Sequence, residues 1–208
     1  MMKRDFGRLL CVVAAAALAG WLCACRVDVE KSADGHDKNV KIDTPFGGVH
    51  VNADAVSAAD TGLPLYPGAK LDQDHDGDNK SADIHMGFGD WQMRLKVVSY
   101  RSNDSQDKVV AFYRKALGRY GDVIECNGKT PVGMPNVTRE GLTCDDTQGV
   151  HGRTHIAAGD DGSGLSLKAG SKRHQHIVGI DSKSGDDFTK FGLVELDLPG
   201  SSSGDVSN

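Results

Sequence analysis

The stretch from Asp72 to Asp83 reads DQDHDGDNKSAD, with aspartates on alternate positions through its first half. Counted as a twelve-residue calcium loop, it offers Asp72, Asp74 and Asp76 at the first, third and fifth places. The carbonyl of Asp78 takes the seventh place and Asp83 the twelfth, with Gly77 sixth, where such loops turn sharply. Calcium is a hard cation that takes about 6–8 oxygens, and closely spaced carboxylates supply them. Three features pull the other way. Asp83 is shorter than the glutamate that usually closes such a loop with both oxygens, and Lys80 brings a positive charge to the ninth place. The flanks, LPLYPGAK and IHMGFG, are not helical, which excludes an EF-hand. Asp, Asn and Gly are also ordinary turn residues, so a solvated acidic loop accounts for the same letters. A calcium site here would bind on the order of 10⁻⁴–10⁻³ M, as extracellular modules do.

Histidines supply a second set of candidate donors. HGRTH holds His151 and His155, and HQH holds His174 and His176. Residues two apart in a strand face one side, so His174 and His176 could share zinc or copper. Two ligands are too few for such an ion, and no carboxylate is fixed beside them by sequence. Exposed strand histidines are the reading that the incomplete ligand set favours. Cysteines give a third feature. Cys126 and Cys144 are the two thiols in the body of the chain, and an exported protein would oxidise them to a disulfide. The bridge closes a loop of about 19 residues and contributes roughly 3 kcal/mol in the loop-entropy model. Two free thiols or a redox pair are the alternatives, although no C-x-x-C is present.

The N-terminus decides the compartment. MMKRDFGR is short and basic, and LLCVVAAAALAGWL is apolar and of signal-peptide length. Leu22-Cys23-Ala24-Cys25 looks like the lipobox of bacterial lipoproteins. That resemblance implies cleavage after residue 24, a diacylglycerol on Cys25 and an acyl chain, such as palmitate, on its new amino group. An ordinary secretory signal and an uncleaved membrane anchor are the other readings. The apolar run is short for a spanning helix, which needs about 20 residues. Residues 1–24 carry three basic groups and one acid, +2 of the chain total of −5, leaving −7 on residues 25–208. Nucleic acid calls for a basic face, so that balance argues against it as a partner.

The elements that would carry these groups follow in order along the chain. Residues 25–38 are rich in charge and read as a tether. Residues 39–62 hold a β-hairpin and a linker: Val40 and Ile42, then Val49 and Val51, alternate with polar residues around Pro45-Phe46-Gly47-Gly48. Residues 63–198 form the main domain. LPLYPGA lies extended, with Leu63, Leu65 and Tyr66 against the core. ADIHMGFG and WQMRLKVVSYRS alternate and pair as a hairpin. NDSQDKVVAFYRKALGRYG is an amphipathic helix with Val109, Phe112, Tyr113, Ala116, Leu117 and Tyr120 on one face. Asp104 or Ser105 caps its start and Gly121 closes it. DVIECN and GLTCD read as short strands joined by the cysteine pair, and two antiparallel strands follow at 176–180 and 191–198. The small polar tail 199–208 is expected to stay disordered. The fold class is α+β: an antiparallel sheet with one main helix on one face and water on the other, preceded by a short hairpin.

The segment YPGA, followed by two strands and DSQDKVVAFYRKAL, resembles a pattern in uncharacterised bacterial lipoproteins and secreted proteins. The resemblance spans about residues 40–198. It implies a fold and a compartment, with no activity, and its motif residues read as turn and core. No nucleophile elbow, phosphate loop, H-E-x-x-H or dinucleotide fingerprint occurs in the sequence. The expectation is therefore a non-catalytic, lipid-anchored envelope protein that binds an envelope partner or supports the envelope. A weak calcium module built on Asp72–Asp83 is the alternative. Arg26 after the lipidated cysteine favours the outer membrane, facing the periplasm, by resemblance to lipoprotein sorting signals.

Overall fold

The computed structural model describes residues 26–31, 37–53, 56–73, 80–145, 164–181 and 188–199. Three strands open the chain: β1 Arg26–Lys31, β2 Asp37–Thr44 and β3 Gly47–Ala53. Then come β4 Lys70–Leu71, β5 Ser81–Phe88 and β6 Trp91–Ser102. Helix α1 spans Gln106–Leu117 and tightens into a 3-10 turn at Gly118–Tyr120. The second half supplies β7 Ile124–Asn127, β8 Thr130–Pro131, β9 Leu165–Gly170, β10 His174–Ile180 and β11 Thr189–Asp197.

All described strands join one antiparallel sheet in the order β1-β2-β3-β5-β6-β11-β10-β9-β7-β8, with β4 beside the far half of β6. The α+β class is as the sequence pattern implies. The hairpin around Pro45-Phe46 is present, and its second strand pairs directly with β5, so the sheet runs unbroken from hairpin to main domain. Residues 26–31, read as tether, form a strand paired with β2. Their letters RVDVEK alternate apolar with charged, which a strand accepts despite the charge.

Helix α1 lies over β9 and β10. Its buried Val109, Tyr113 and Leu117 meet Val98, Tyr100, Phe191 and Leu193 in the larger core. Ser105 stands at its N-cap without a side-chain bond. The Asp104 carboxylate instead accepts from Lys108 Nζ at 2.8 Å and from the Tyr66 hydroxyl at 3.0 Å, tying the helix start to the YPGA segment. Leu63 and Tyr66 enter the core as expected, whereas Leu65 is exposed. Gly121 does end the helix, at φ 128°, and a Cβ there would collide with the Glu140 carboxylate.

The opposite face of the sheet is not given over to water. Met93, Leu95, Val97, Ile177, Val194 and Leu196 form a second buried cluster there. The cause is a change of phase inside three neighbouring strands. Each carries two adjacent apolar residues, Val97-Val98, Leu193-Val194 and Ile177-Val178, and the pairs stand in register across β6, β11 and β10. Toward one end of these strands apolar side chains face the helix, and toward the other end they face away. Beyond the helix, the face on α1's side is therefore polar.

GLTCD is not a strand: residues 141–143 are irregular and Cys144-Asp145 form a turn. Its shape comes from local bonds. The Leu142 amide meets Thr138 Oγ1 at 2.9 Å, and Lys168 Nζ, buried in β9, meets the Cys144 carbonyl at 2.9 Å.

Candidate functional site

The ends of the acidic stretch are each committed to a cation of the chain itself. Asp72 is buried after β4, and its carboxylate receives Lys80 Nζ at 2.9 Å. Backbone bonds support this closure: the Asp72 amide donates to Ser99 and the Lys80 amide to Asp72. Asp83 lies within β5, where Arg94 of β6 grips it with Nε at 3.1 Å and Nη2 at 2.7 Å. The lysine at the ninth place of the calcium pattern thus occupies its first ligand, and an arginine occupies its last. Asp74, Asp76 and Asp78 lie outside the described residues, as do Cys25, His151 and His155.

Cys126 and Cys144 form a disulfide with Cα atoms 5.7 Å apart. It pins the 138–145 loop onto β7, on the face away from the helix, beside buried Ile124.

The structure brings His174 and His176 together with two residues that sequence reading missed, Glu195 and Asp197. In the β10–β11 register His176 stands opposite Glu195 and His174 opposite Asp197. All four sit on the polar part of the helix-side face. The expectation of exposed histidines holds only for His174; His176 is 2% exposed. It is covered by Tyr120, whose ring stacks on the imidazole at 3.6 Å, and by the Thr61-Gly62 turn. Tyr120 is held there because its hydroxyl donates to the Gly62 carbonyl at 2.5 Å.

The hydrogen bonds fix the histidine's proton. His176 Nδ1 is 3.0 Å from the Thr61 carbonyl. A carbonyl only accepts, so Nδ1 carries the hydrogen and Nε2 carries a lone pair. That Nε2 is buried with no hydrogen-bond partner. Burial pushes the His176 pKa below its ordinary value, with His174 and Arg119 acting in the same direction and the Thr61 bond and Glu195 against it. His174 Nδ1 is bonded to the Asp197 carboxylate, and its Nε2 lies 3.9 Å from Glu195 Oε1. Lys96 Nζ holds the other Glu195 oxygen at 2.5 Å and also donates to the Asp60 carbonyl. One donor atom each from His174, His176 and Glu195 lie within 4.8 Å of one another.

A different feature occupies the end of the sheet where the chain emerges from residue 25. Arg26 opens β1 opposite Asp43, close to the β2–β3 turn. Because β3 is antiparallel to β5, that turn and the β5–β6 turn share this end, and the Gly89 amide donates to the Phe46 carbonyl at 3.3 Å. Gly47 packs so closely on Phe88 that a Cβ would overlap its ring. The two turns present Phe46, 84% exposed, Phe88, 49% exposed, and Trp91, 40% exposed. Val27 is exposed on β1, with β2 and β3 between it and β5, and the Phe88 and Trp91 rings sit 6.0 Å apart. No helix among the described residues is long and apolar enough to cross a membrane.

Comparison with protein-family models, with curated proteins and with solved structures finds no match.

Proposed function

We propose that this chain is a non-catalytic, lipid-anchored protein of the bacterial cell envelope that rests one end of its sheet on the bilayer. The observation that carries the reading is positional. The residue next to Cys25 begins β1 at the same end where Phe46, Phe88 and Trp91 stand exposed. Cys25 and the first strand are adjacent in sequence, so a lipid on Cys25 holds this end close to the membrane. Trp favours the membrane–water interface, where its apolar ring and polar N–H both find partners, and exposed Phe rings add apolar area beside it. Each buried acyl methylene adds about 0.8 kcal/mol, so two or more chains hold the protein firmly and the rings orient it. The Cys126–Cys144 disulfide supports an oxidising compartment. The outer membrane, with the domain in the periplasm, is the proposed location, and an envelope protein the proposed partner.

The test uses the full chain produced in a bacterial host and carried into phosphatidylethanolamine–phosphatidylglycerol vesicles. Labelled palmitate should enter the wild type and be lost in Cys25→Ala. Trp91 is the one tryptophan in residues 25–208, so its emission reports this end alone once the leader is cleaved. Brominated lipids should quench it most when the bromine lies near the headgroups. A chain that takes up no label and does not float with vesicles overturns the anchor. A chain that floats while Trp91 stays unquenched overturns the bilayer contact alone.

A further inference from the structure

We propose that His174, His176 and Glu195 form a binding site for a divalent transition-metal ion of the zinc type. Two imidazoles and one carboxylate are donors that such ions take, and three protein ligands leave a fourth position for water.

The strongest support is the unpartnered Nε2 of His176. Stacking under Tyr120 accounts for the face of the ring and the Thr61 carbonyl accounts for Nδ1. Neither accounts for the other nitrogen, a buried acceptor with no hydrogen-bond partner. Leaving such an atom unsatisfied costs the full desolvation of its lone pair, and a metal ion would remove that cost. His174 is oriented in a parallel way. Its Nδ1 is engaged by Asp197, so its Nε2 is the nitrogen left to face Glu195. A metal-bound histidine characteristically gives its second nitrogen to a carbonyl or carboxylate, and here one histidine has each. Lys96 performs the same service for Glu195, fixing Oε2 and leaving Oε1 on the histidine side.

The spacing is that of an open site. Bonds of about 2.0–2.1 Å in a tetrahedron put ligand atoms about 3.4 Å apart. The present spread of up to 4.8 Å closes with a shift of little more than an ångström. His174 can supply it, because its side chain is about half exposed and stands at the start of β10. His176 and Glu195 are cross-strand partners and need not move far. The surrounding charge sets a modest affinity. Glu195, Asp197 and Asp83 face Lys96 and Arg94 on the same polar surface, and Arg119 lies over Tyr120.

The test is a zinc titration of the full, untagged chain by calorimetry and thermal melting, with cobalt(II) as a spectroscopic probe. The wild type should bind one zinc, melt higher with it, and give cobalt the visible absorption of a four-coordinate site. His174→Ala removes a rim ligand, Glu195→Gln keeps the shape of the side chain, and Asp197→Asn loosens only the orientation of His174. Each should lower zinc affinity by at least about tenfold, the usual range for losing even an outer partner. Melting without zinc confirms that these variants fold. No heat, no melting shift and no cobalt spectrum in folded wild type would overturn the proposal. Equal zinc binding by wild type, His174→Ala and Glu195→Gln would also overturn it, by placing the ion at another of the eight histidines.

Discussion

Replacing Leu196 by alanine is expected to destabilise the chain as much as replacing Leu193, although the two side chains point to opposite faces. Leu193 lies on the helix side, opposite Val98; Leu196, only 1% exposed, lies on the far side, opposite Leu95. Removing either leucine from water contributes about 1.5–3 kcal/mol. The cavity left by truncation raises the loss to about 2–5 kcal/mol. With a urea slope of about 2 kcal/mol per molar, that is a fall in midpoint of about 1–2.5 M. The assay is urea unfolding with the disulfide kept oxidised, followed by tryptophan fluorescence and far-ultraviolet circular dichroism together. On a sheet with one wet face, Leu196 would be a surface residue and its truncation would cost under about 0.5 kcal/mol. A midpoint that falls for Leu193→Ala and moves by less than about 0.25 M for Leu196→Ala would therefore refute the two-faced core.

Two further outcomes are expected. The Cys126→Ser, Cys144→Ser double variant should lose roughly 3 kcal/mol, as a bridge across a sequence separation of 18 implies in the loop-entropy model, and urea titration measures it. Acid should weaken the wild type through His176. Its folded-state pKa is lowered chiefly by burial, so the unfolded chain takes the proton first as pH falls. The contribution is whole above about 6.5 and is lost as pH drops from there through the folded value. His174, Arg119 and Glu195 all act on this titration, and melting curves from pH 8 to 5 should show the limb in wild type and a shallower one in His176→Gln. A limb of equal depth in both would assign the acid sensitivity to other groups.

Much of the fold is legible because local signals agree with it. Pro45-Phe46 and Gly89-Asp90 interrupt alternating runs, and both are hairpin turns. Residues 106–117 repeat their apolar positions at helical spacing, and they form α1. The second core is harder to read. The doubled letters Val97-Val98, Ile177-Val178 and Leu193-Val194 stand in plain sight, but they mean a change of face only once the strands are laid in register. The same limit hid half of the histidine cluster. His174 and His176 announce themselves as i, i+2 neighbours, whereas Glu195 lies far along the chain and meets them through strand pairing. His176 read as exposed because nothing in HQHIVGI shows that Tyr120 and the Thr61-Gly62 turn close over it. GLTCD has strand spacing, yet Thr138 and the disulfide bend it into a loop.

The phase change also ties the two proposed sites to one cause while keeping them physically separate. On β6, apolar Trp91, Met93 and Leu95 face away from the helix, which forces Arg94 and Lys96 to the polar face. The row Arg94–Asp197–His174 crosses β6, β11 and β10 only three residues from Trp91, about 10 Å along the strand. An ion held by His174, His176 and Glu195 would thus sit near the bilayer, on the surface turned away from Trp91. Residues on opposite faces of a sheet share no first neighbours, so their effects should add. Phe46→Ser should weaken the quenching of Trp91 by brominated lipid and leave zinc affinity within about twofold, and Glu195→Gln should do the reverse. If Glu195→Gln also releases Trp91 from the bilayer, the metal centre and the membrane contact are one device, and the division of the sheet into two independent faces fails.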